Sequence, residues 1–341
     1  MEKVLIISAS FKKVFFEEMV NYMKKFETRI ISSEWWQGRT SISKIMNEIQ
    51  EFRPDIIYTD DTFSATIVSK LSNNKIPVLI HLRGNWWIEF WSNLSWSWKH
   101  RLYAPVNYLM TNLSFKLADG FVPICKWLEK DVNRRLPGKK TDVVYQGVTP
   151  NIFYPEKGME FEHPCVGIVQ SHHILPKVEG LLNFREVVRR LPGVNFKIAG
   201  DGPHLERVKN HFRKEKNVKV IGRVSYPQEL RQFLTEIDVY VLPSGLDCCP
   251  TTILEAGLMK KPVLGSAVGG IPEIIDQGKT GWSIPNGDFD SWVEKIGLLL
   301  DDSRKARKMG SYGRKWVSKN FDWKVVSKQV SRIFTAYLER R

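Results

Sequence analysis

The stretch from Pro243 to Trp282 (PSGLDCCPTTILEAGLMKKPVLGSAVGGIPEIIDQGKTGW) constrains this chain more than any other. Ahead of it, Ile237 to Leu242 reads as a short apolar strand, which Pro243-Ser244-Gly245 breaks. Pro250 stands where a helix begins, because proline has no N–H to lose at the first helical position. The helix runs from Thr251 to Met259, and Lys260-Lys261-Pro262 supplies a basic last turn and a stop. Val263-Leu264-Gly265 starts the next strand. Strand, loop, helix, strand is the βαβ unit of a parallel sheet, and such sheets bind ligands at the carboxyl ends of their strands.

Two carboxylates fall in that crevice, Asp247 in the loop and Glu255 early in the helix. The first helical amides, those of Thr251, Thr252 and Ile253, have no partner within the helix and form an anion site. Amide donors suit phosphate and carboxylates suit hydroxyls, so the ligand class is a sugar phosphate. Taken singly, Asp247 could cap its own loop and Glu255 could be a first-turn acid favoured by the helix dipole.

The stretch resembles the donor-binding signature of the retaining glycosyltransferases of family four, the group 1 glycosyltransferases. That signature has two acids separated by seven residues, then Glu-Ala, a Pro-Val strand and Gly-Gly-x-Pro-Glu. Here stand Asp247, Glu255-Ala256, Pro262-Val263 and Gly269-Gly270-Ile271-Pro272-Glu273, closed by Gly278-Lys279-Thr280-Gly281. The first acid is Asp where the family usually has Glu. The resemblance implies that Glu255 holds ribose hydroxyls and Asp247 a hydroxyl of the transferred sugar. It also implies the GT-B fold, an α/β architecture of two Rossmann-like parallel-sheet domains facing each other across a cleft.

The 341 residues suffice for two domains, each with a full core. Hydrophobic content of 43% and charged content of 26% are those of a globular chain. No apolar run reaches membrane-spanning length, and the opening Met1 to Ile7 reads as a strand rather than a signal peptide. The expected location is the cytoplasm. The four cysteines, Cys125, Cys165, Cys248 and Cys249, have no zinc spacing and read as reduced, buried thiols. A net charge of +14 points to polyanionic partners. No nucleic-acid motif is present, which leaves phosphorylated substrates and an anionic membrane surface on the inner face of the cell membrane.

In chain order, Val4 to Ile7 is a buried strand, followed by Ser8-Ala9-Ser10 where many family members have a glycine-rich loop. A second strand covers Arg29 to Ile31, and a third ends at Tyr58, before Asp60-Asp61. That acid pair reads as solvated, and no metal is expected. The strand Pro77 to Leu82 runs into Arg83-Gly84-Asn85-Trp86, the acceptor side. The family carries a His-Gly turn there, and Arg83 in its place suits a donor or acceptor phosphate. The alternative is an ion pair with Glu89. From Trp86 to Phe115, aromatic rings interleave with Lys99, His100 and Arg101. That mixture is the chemistry of a bilayer interface, and equally that of a helical core against the sheet.

Val143 to Pro150 resembles the family's interdomain segment, and the boundary is placed at Glu156. The expected division is therefore 1–156, an acceptor-side domain; 157–321, a nucleotide-sugar domain; and 322–341, a helix that in the family crosses back to the first domain. In the second domain the family has Gly-Arg and then Lys, two cations that hold the diphosphate. Lys177 matches the lysine, while Ser171 or His172 stands at the arginine, and a protonated His172 would replace its charge. Gly200-Asp201-Gly202-Pro203 matches a family turn near the base, and Gly222-Arg223 the loop that packs on it. Asp288 imitates a metal-binding Asp-x-Asp, but its position after Asn286-Gly287 makes it a helix cap. The basic run from Arg304 to Lys319 reads as solvated helix faces.

The resemblance thus implies a metal-independent, retaining, hexosyltransferase-type enzyme in membrane glycolipid, lipid-linked glycan or cell-surface polysaccharide assembly. It needs no cofactor, only a UDP-, GDP- or ADP-sugar co-substrate. Its acceptor would be a glycan, a lipid-linked glycan or a small molecule, and nucleic acid is excluded. Lys177, Asp247 and Glu255 form the catalytic set. Two rivals remain: a catalytically inactive nucleotide-sugar-binding or scaffold protein, and a synthase or phosphorylase of related fold.

Overall fold

A computed structural model describes residues 1–8, 13–33, 39–60, 64–93 and 98–339. Ala9, Ser10, Asp61 and Trp96 lie outside them, as do the side chains of Trp98, Lys99 and His100. The chain divides into two compact units, Met1–Gly147 with Trp323–Arg341, and Val148–Asp322.

In the first unit β1 (Glu2–Ser8), α1 (Lys13–Val20), β2 (Phe26–Ser32), α2 (Arg39–Phe52), β3 (Ile56–Thr59), α3 (Ser64–Ser72) and β4 (Val78–Leu82) alternate. Two helices follow, α4 (Trp86–Asn93) and α5 (Trp98–Leu117), then β5 (Gly120–Pro123), α6 (Lys126–Arg135) and β6 (Lys140–Thr141). The six strands form one sheet in the order β2-β1-β3-β4-β5-β6, with parallel pairing throughout. Helices on both faces bury both sides of a parallel strand, which is why Val4-Leu5-Ile6-Ile7 is an unbroken apolar run.

The second unit contains β7 (Cys165–Val169), α7 (Leu175–Asn183), α8 (Arg185–Arg190), β8 (Asn195–Ala199), α9 (Leu205–Phe212), β9 (Val218–Gly222) and α10 (Gln228–Glu236). It continues with β10 (Val239–Leu242), α11 (Thr251–Leu258), β11 (Val263–Ser266), β12 (Gly281–Ile284), α12 (Phe289–Asp301) and α13 (Ser303–Asn320). Its sheet is also parallel, in the order β12-β11-β10-β7-β8-β9. Chain order reverses between β7 and β10, so this pair is the topological switch point at which such sheets take ligands.

The expected boundary at Glu156 is corrected to Gly147/Val148. Residues 148–156 are strapped to the second unit. Phe153 is fully buried, Arg231 Nη1 donates to the Ile152 carbonyl at 3.0 Å, and Arg231 pairs with Glu156 at 3.1 Å. The last helix, α14 (Trp323–Leu338), belongs to the first unit. Its Trp323, Val326, Val330 and Phe334 join the cluster built on Val4, Ile6 and Tyr58. Ser327 Oγ donates to the Met19 carbonyl at 2.9 Å. Asp288 does cap α12, accepting from the Ser291 amide at 3.1 Å.

Candidate donor site of the second unit

The site grows from the switch point. Val239 and Tyr240 pair with Val166 and Gly167, so the loops leaving β7 and β10 emerge side by side. The first loop feeds α7, which carries Lys177; the second carries Asp247 and feeds α11. Two glycines let them approach: a Cβ on Gly180 would lie 2.2 Å from the Gly245 nitrogen, and one on Gly245 would lie 2.1 Å from the Pro176 carbonyl.

Lys177 Nζ donates to Asp247 Oδ2 at 3.0 Å, with both side chains largely out of solvent. The sequence alone assigned these two groups to different parts of a ligand; here they hold each other. The other Asp247 oxygen accepts from the Cys248 amide at 3.0 Å, and its carbonyl takes the Gly270 amide at 3.0 Å. Gly269, at φ +56, is required there, because a Cβ would stand 1.8 Å from that carbonyl.

At α11, Pro250 occupies the N-cap rather than the first helical position. The Ile253 amide is spent on the Pro250 carbonyl at 3.2 Å, so the expected three free amides become those of Thr251 and Thr252. Glu255 is 4% exposed, and burial pushes its carboxyl up to about 7 against a bond from the Thr251 side chain. Tyr240 lies beneath the site, its hydroxyl donating to the Val169 carbonyl at 3.0 Å, and burial holds that phenol far above its ordinary range.

His172 corrects the sequence expectation of a protonated histidine. It is fully buried, and burial pushes its imidazole down to about 4, so it cannot supply the charge of the family's arginine. Neither ring nitrogen has a hydrogen-bond partner among the described residues, which leaves a polar group waiting for one. Gly200 carries its amide to the Gly222 carbonyl at 2.8 Å and crowds His172, whose Cε1 would lie 3.1 Å from a Cβ there. Arg223, next after Gly222, is exposed.

Among the residues expected on the acceptor side, all in the first unit, Asn85 is another correction. It is 1% exposed, its Nδ2 donates to Asp131 at 3.0 Å, and its Oδ1 accepts the Ile88 amide at 3.2 Å. It stands just ahead of α4, and burial rather than an open surface surrounds it. Gly84 lies under the Glu89 carboxylate, which a Cβ would meet at 2.1 Å. Arg83, expected to meet a phosphate with a Glu89 ion pair as the alternative, lays its guanidinium over the Phe15 ring at 3.8 Å and stands 3.8 Å from Asp60. Asp60, expected in solvent, has a side chain only 1% exposed. Trp86 packs among Trp87, Phe90, Tyr108 and Phe115, with centroids 5.1 to 6.3 Å away, so it is a half-buried member of an aromatic cluster rather than a free wall.

Sequence reasoning missed the burial of Asp60 and its approach to Arg83. It also missed the Tyr58 hydroxyl, 2.7 Å from His81 Nδ1. The signal available for both was the position of Asp60 and His81 at the ends of adjacent apolar strands. No group of three or more candidate metal-binding side chains occurs among the described residues.

Two family models match the chain, "Glycosyltransferase Family 4" over residues 3–152 and "Glycosyl transferases group 1" over residues 168–316. An uncharacterized glycosyltransferase of Methanocaldococcus jannaschii is 24% identical over 292 residues, covering 84% of this chain and 77% of that protein. A GDP-mannose-dependent alpha-(1-6)-phosphatidylinositol monomannoside mannosyltransferase of Mycolicibacterium smegmatis is 31% identical over 168 residues, 46% of this chain and 43% of its own length. Among solved structures, Anabaena HepE in complex with UDP-glucose superposes with a TM-score of 0.74 at 16% identity, over 98% of this chain and 100% of that one. With both halves matched and two parallel sheets of the GT-B fold, the chain belongs to the family 4, group 1 glycosyltransferases, transferases that use a nucleotide sugar.

Proposed function

We propose that this chain transfers a hexose from a nucleotide sugar to an acceptor hydroxyl with retention at the anomeric carbon and without a metal. The observation that carries the reading is the meeting of Lys177 and Asp247 at the switch point, beside the N-terminus of α11 and the buried Glu255. On binding, the diphosphate takes Lys177 away from Asp247, which frees that carboxylate for a hydroxyl of the sugar. Glu255 accepts the ribose hydroxyls. As the bond from the anomeric carbon to the phosphate oxygen breaks, charge grows on the departing diphosphate. Lys177 and the amides of Thr251 and Thr252 stabilise it there, where preorganised donors act most strongly. The acceptor hydroxyl attacks from the same face, and its proton passes to the departing oxygen. His172, neutral and unpartnered, offers a ring nitrogen as donor or acceptor in place of a cation.

The acceptor, on this reading, is a membrane glycolipid or lipid-linked glycan reached from an anionic surface. On α5, Leu102, Val106, Leu109 and Leu113 recur at helical spacing and are 42% to 67% exposed. Trp91, 63% exposed, adds a ring beside Tyr108. Exposed apolar surface of this extent marks an interaction site, and the charge of +14 selects an anionic one. No helix among the described residues is long and apolar enough to cross a membrane.

Thermal-shift measurements with UDP-, GDP- and ADP-sugars test the donor. The native state alone should bind, so one of the three raises the unfolding midpoint, further with each rise in its concentration above the dissociation constant. A midpoint unmoved by all three would contradict the reading.

A further inference from the structure

We propose that the second unit carries a second sugar-binding pocket, separate from the donor site, that takes one neutral pyranose ring. The pocket has a volume of about 230 Å³ and lies at the carboxyl end of the sheet, between α7, the start of α12 and the loops after β10, β11 and β12. Cavities for drug-sized ligands run from ~300 to 1,000 Å³, so this one is too small for a nucleotide and suited to a single ring.

Its floor is aromatic. Phe289 and Trp292 line it from α12, and Phe184 meets Trp292 edge-on at 5.2 Å. Its rim is polar. Glu179 and Asn183 are one turn apart on α7, and Asn286 faces them from the loop after β12. All three are exposed, and none makes a side-chain hydrogen bond or ion pair with a described residue. Two amides and a carboxylate over aromatic rings match a sugar, whose ring C–H groups pack on an aromatic face while its hydroxyls both donate and accept. The one charge on the rim is negative and unneutralised, which disfavours a phosphate or a uronic acid.

The pocket is distinct from the diphosphate site. Lys177 sits about a third of a turn of α7 away from the face formed by Pro176, Glu179 and Asn183, and it points to Asp247. The two sites draw on the same elements, α7 and the loops after β10 and β11, but on different side chains. The sugar bound could be a free monosaccharide or one residue of a glycan chain, and the same chemistry serves both.

Isotope-labelled full-length protein, titrated with glucose, galactose, mannose and N-acetylglucosamine, with their methyl glycosides and with a trisaccharide, tests the assignment by NMR. At least one probe should shift the Trp292 indole and the α7 amides, with an affinity in the millimolar range. Binding of free sugars alone would assign a monosaccharide ligand, and binding of the glycosides and trisaccharide a glycan residue. Glu179→Ala with Asn183→Ala, exposed changes on one helix face, should weaken the response at least tenfold, as should Asn286→Ala. Saturating UDP and the Glu255→Gln change should leave it intact, which separates this pocket from the donor site. If no probe shifts these resonances, if UDP abolishes the shift, or if calcium or phosphate produces it instead, the proposal is wrong.

Discussion

Lys177 and Asp247, seventy residues apart in the chain, meet at 3.0 Å where the loops after β7 and β10 leave the sheet. The pair holds Lys177, the cation we propose for the diphosphate, in place before a ligand arrives, and on that reading it sets a competition. Whatever takes Lys177 must displace Asp247.

That competition gives opposite outcomes for the two substitutions. Lys177→Ala should weaken UDP or GDP binding at low salt, by tenfold or more, through loss of a charge-assisted contact. Asp247→Asn should tighten nucleoside diphosphate binding while cutting turnover, because the lysine is released and the sugar contact is lost. In urea unfolding, the double variant should show a coupling of about 1 kcal/mol. Calorimetric titration of the four proteins checks this, and equal affinities in wild type and Lys177→Ala would refute the role of the lysine.

Glu255 predicts a pH dependence. Its carboxyl is raised from 4.5 to about 7, so the folded chain holds the proton more tightly than the unfolded one. Below pH 4.5 both states are protonated and burial carries no ionic penalty. Between there and about 7 only the unfolded chain releases the proton, and stability falls as pH rises; above about 7 the loss is complete. The span corresponds to about 3 kcal/mol. Glu255→Gln lacks this loss, so its urea midpoint should gain on the wild type between pH 5 and pH 8. The same change should weaken donor binding and cut turnover. Midpoints that move in parallel, or wild-type activity in the variant, would sink the assignment.

On the proposed reading, in which Lys177 and the α11 amides stabilise the leaving group, activity should survive excess chelator. Complete loss, restored by magnesium or manganese, would show that a metal takes that part.

The membrane reading predicts sedimentation with anionic but not neutral vesicles, partly reversed by salt, because charge attraction is screened and apolar insertion is not. Val106→Ser with Leu109→Ser should weaken binding several-fold without unfolding the protein. Trp86→Ala should instead lower the thermal midpoint, since that ring packs on Trp87, Phe90, Tyr108 and Phe115. Indifference to anionic vesicles at low salt would remove the lipid acceptor.

The β10–α11–β11 unit was legible from residue order, because proline, glycine and apolar runs punctuate it locally. The family signature then named Lys177, Asp247 and Glu255. Their mutual arrangement was not legible: the contact between Lys177 and Asp247 depends on β7 pairing with β10, a crossover that no local pattern encodes. Burial set the other differences. His172 and Asp60 are polar residues in loops, which usually lie in water, yet one is fully buried and the other has a side chain 1% exposed. Asn85 was read for its place beside Arg83, and its spending on Asp131 and the α4 start depends on a helix forty-six residues away. The exposed stripe of α5 was hidden by the denser aromatic run before it, in which the fold buries Trp87 and half-buries Trp86.

Release of nucleoside diphosphate from UDP-, GDP- and ADP-sugars, with a lipid or glycan acceptor present, is the decisive test of retaining sugar transfer by this chain. The account predicts that one donor is consumed, that the product keeps the donor's anomeric configuration, and that Lys177→Ala and Glu255→Gln each lower the rate by at least tenfold. Binding of a nucleotide with no release from any donor, or a product of inverted configuration, would contradict it.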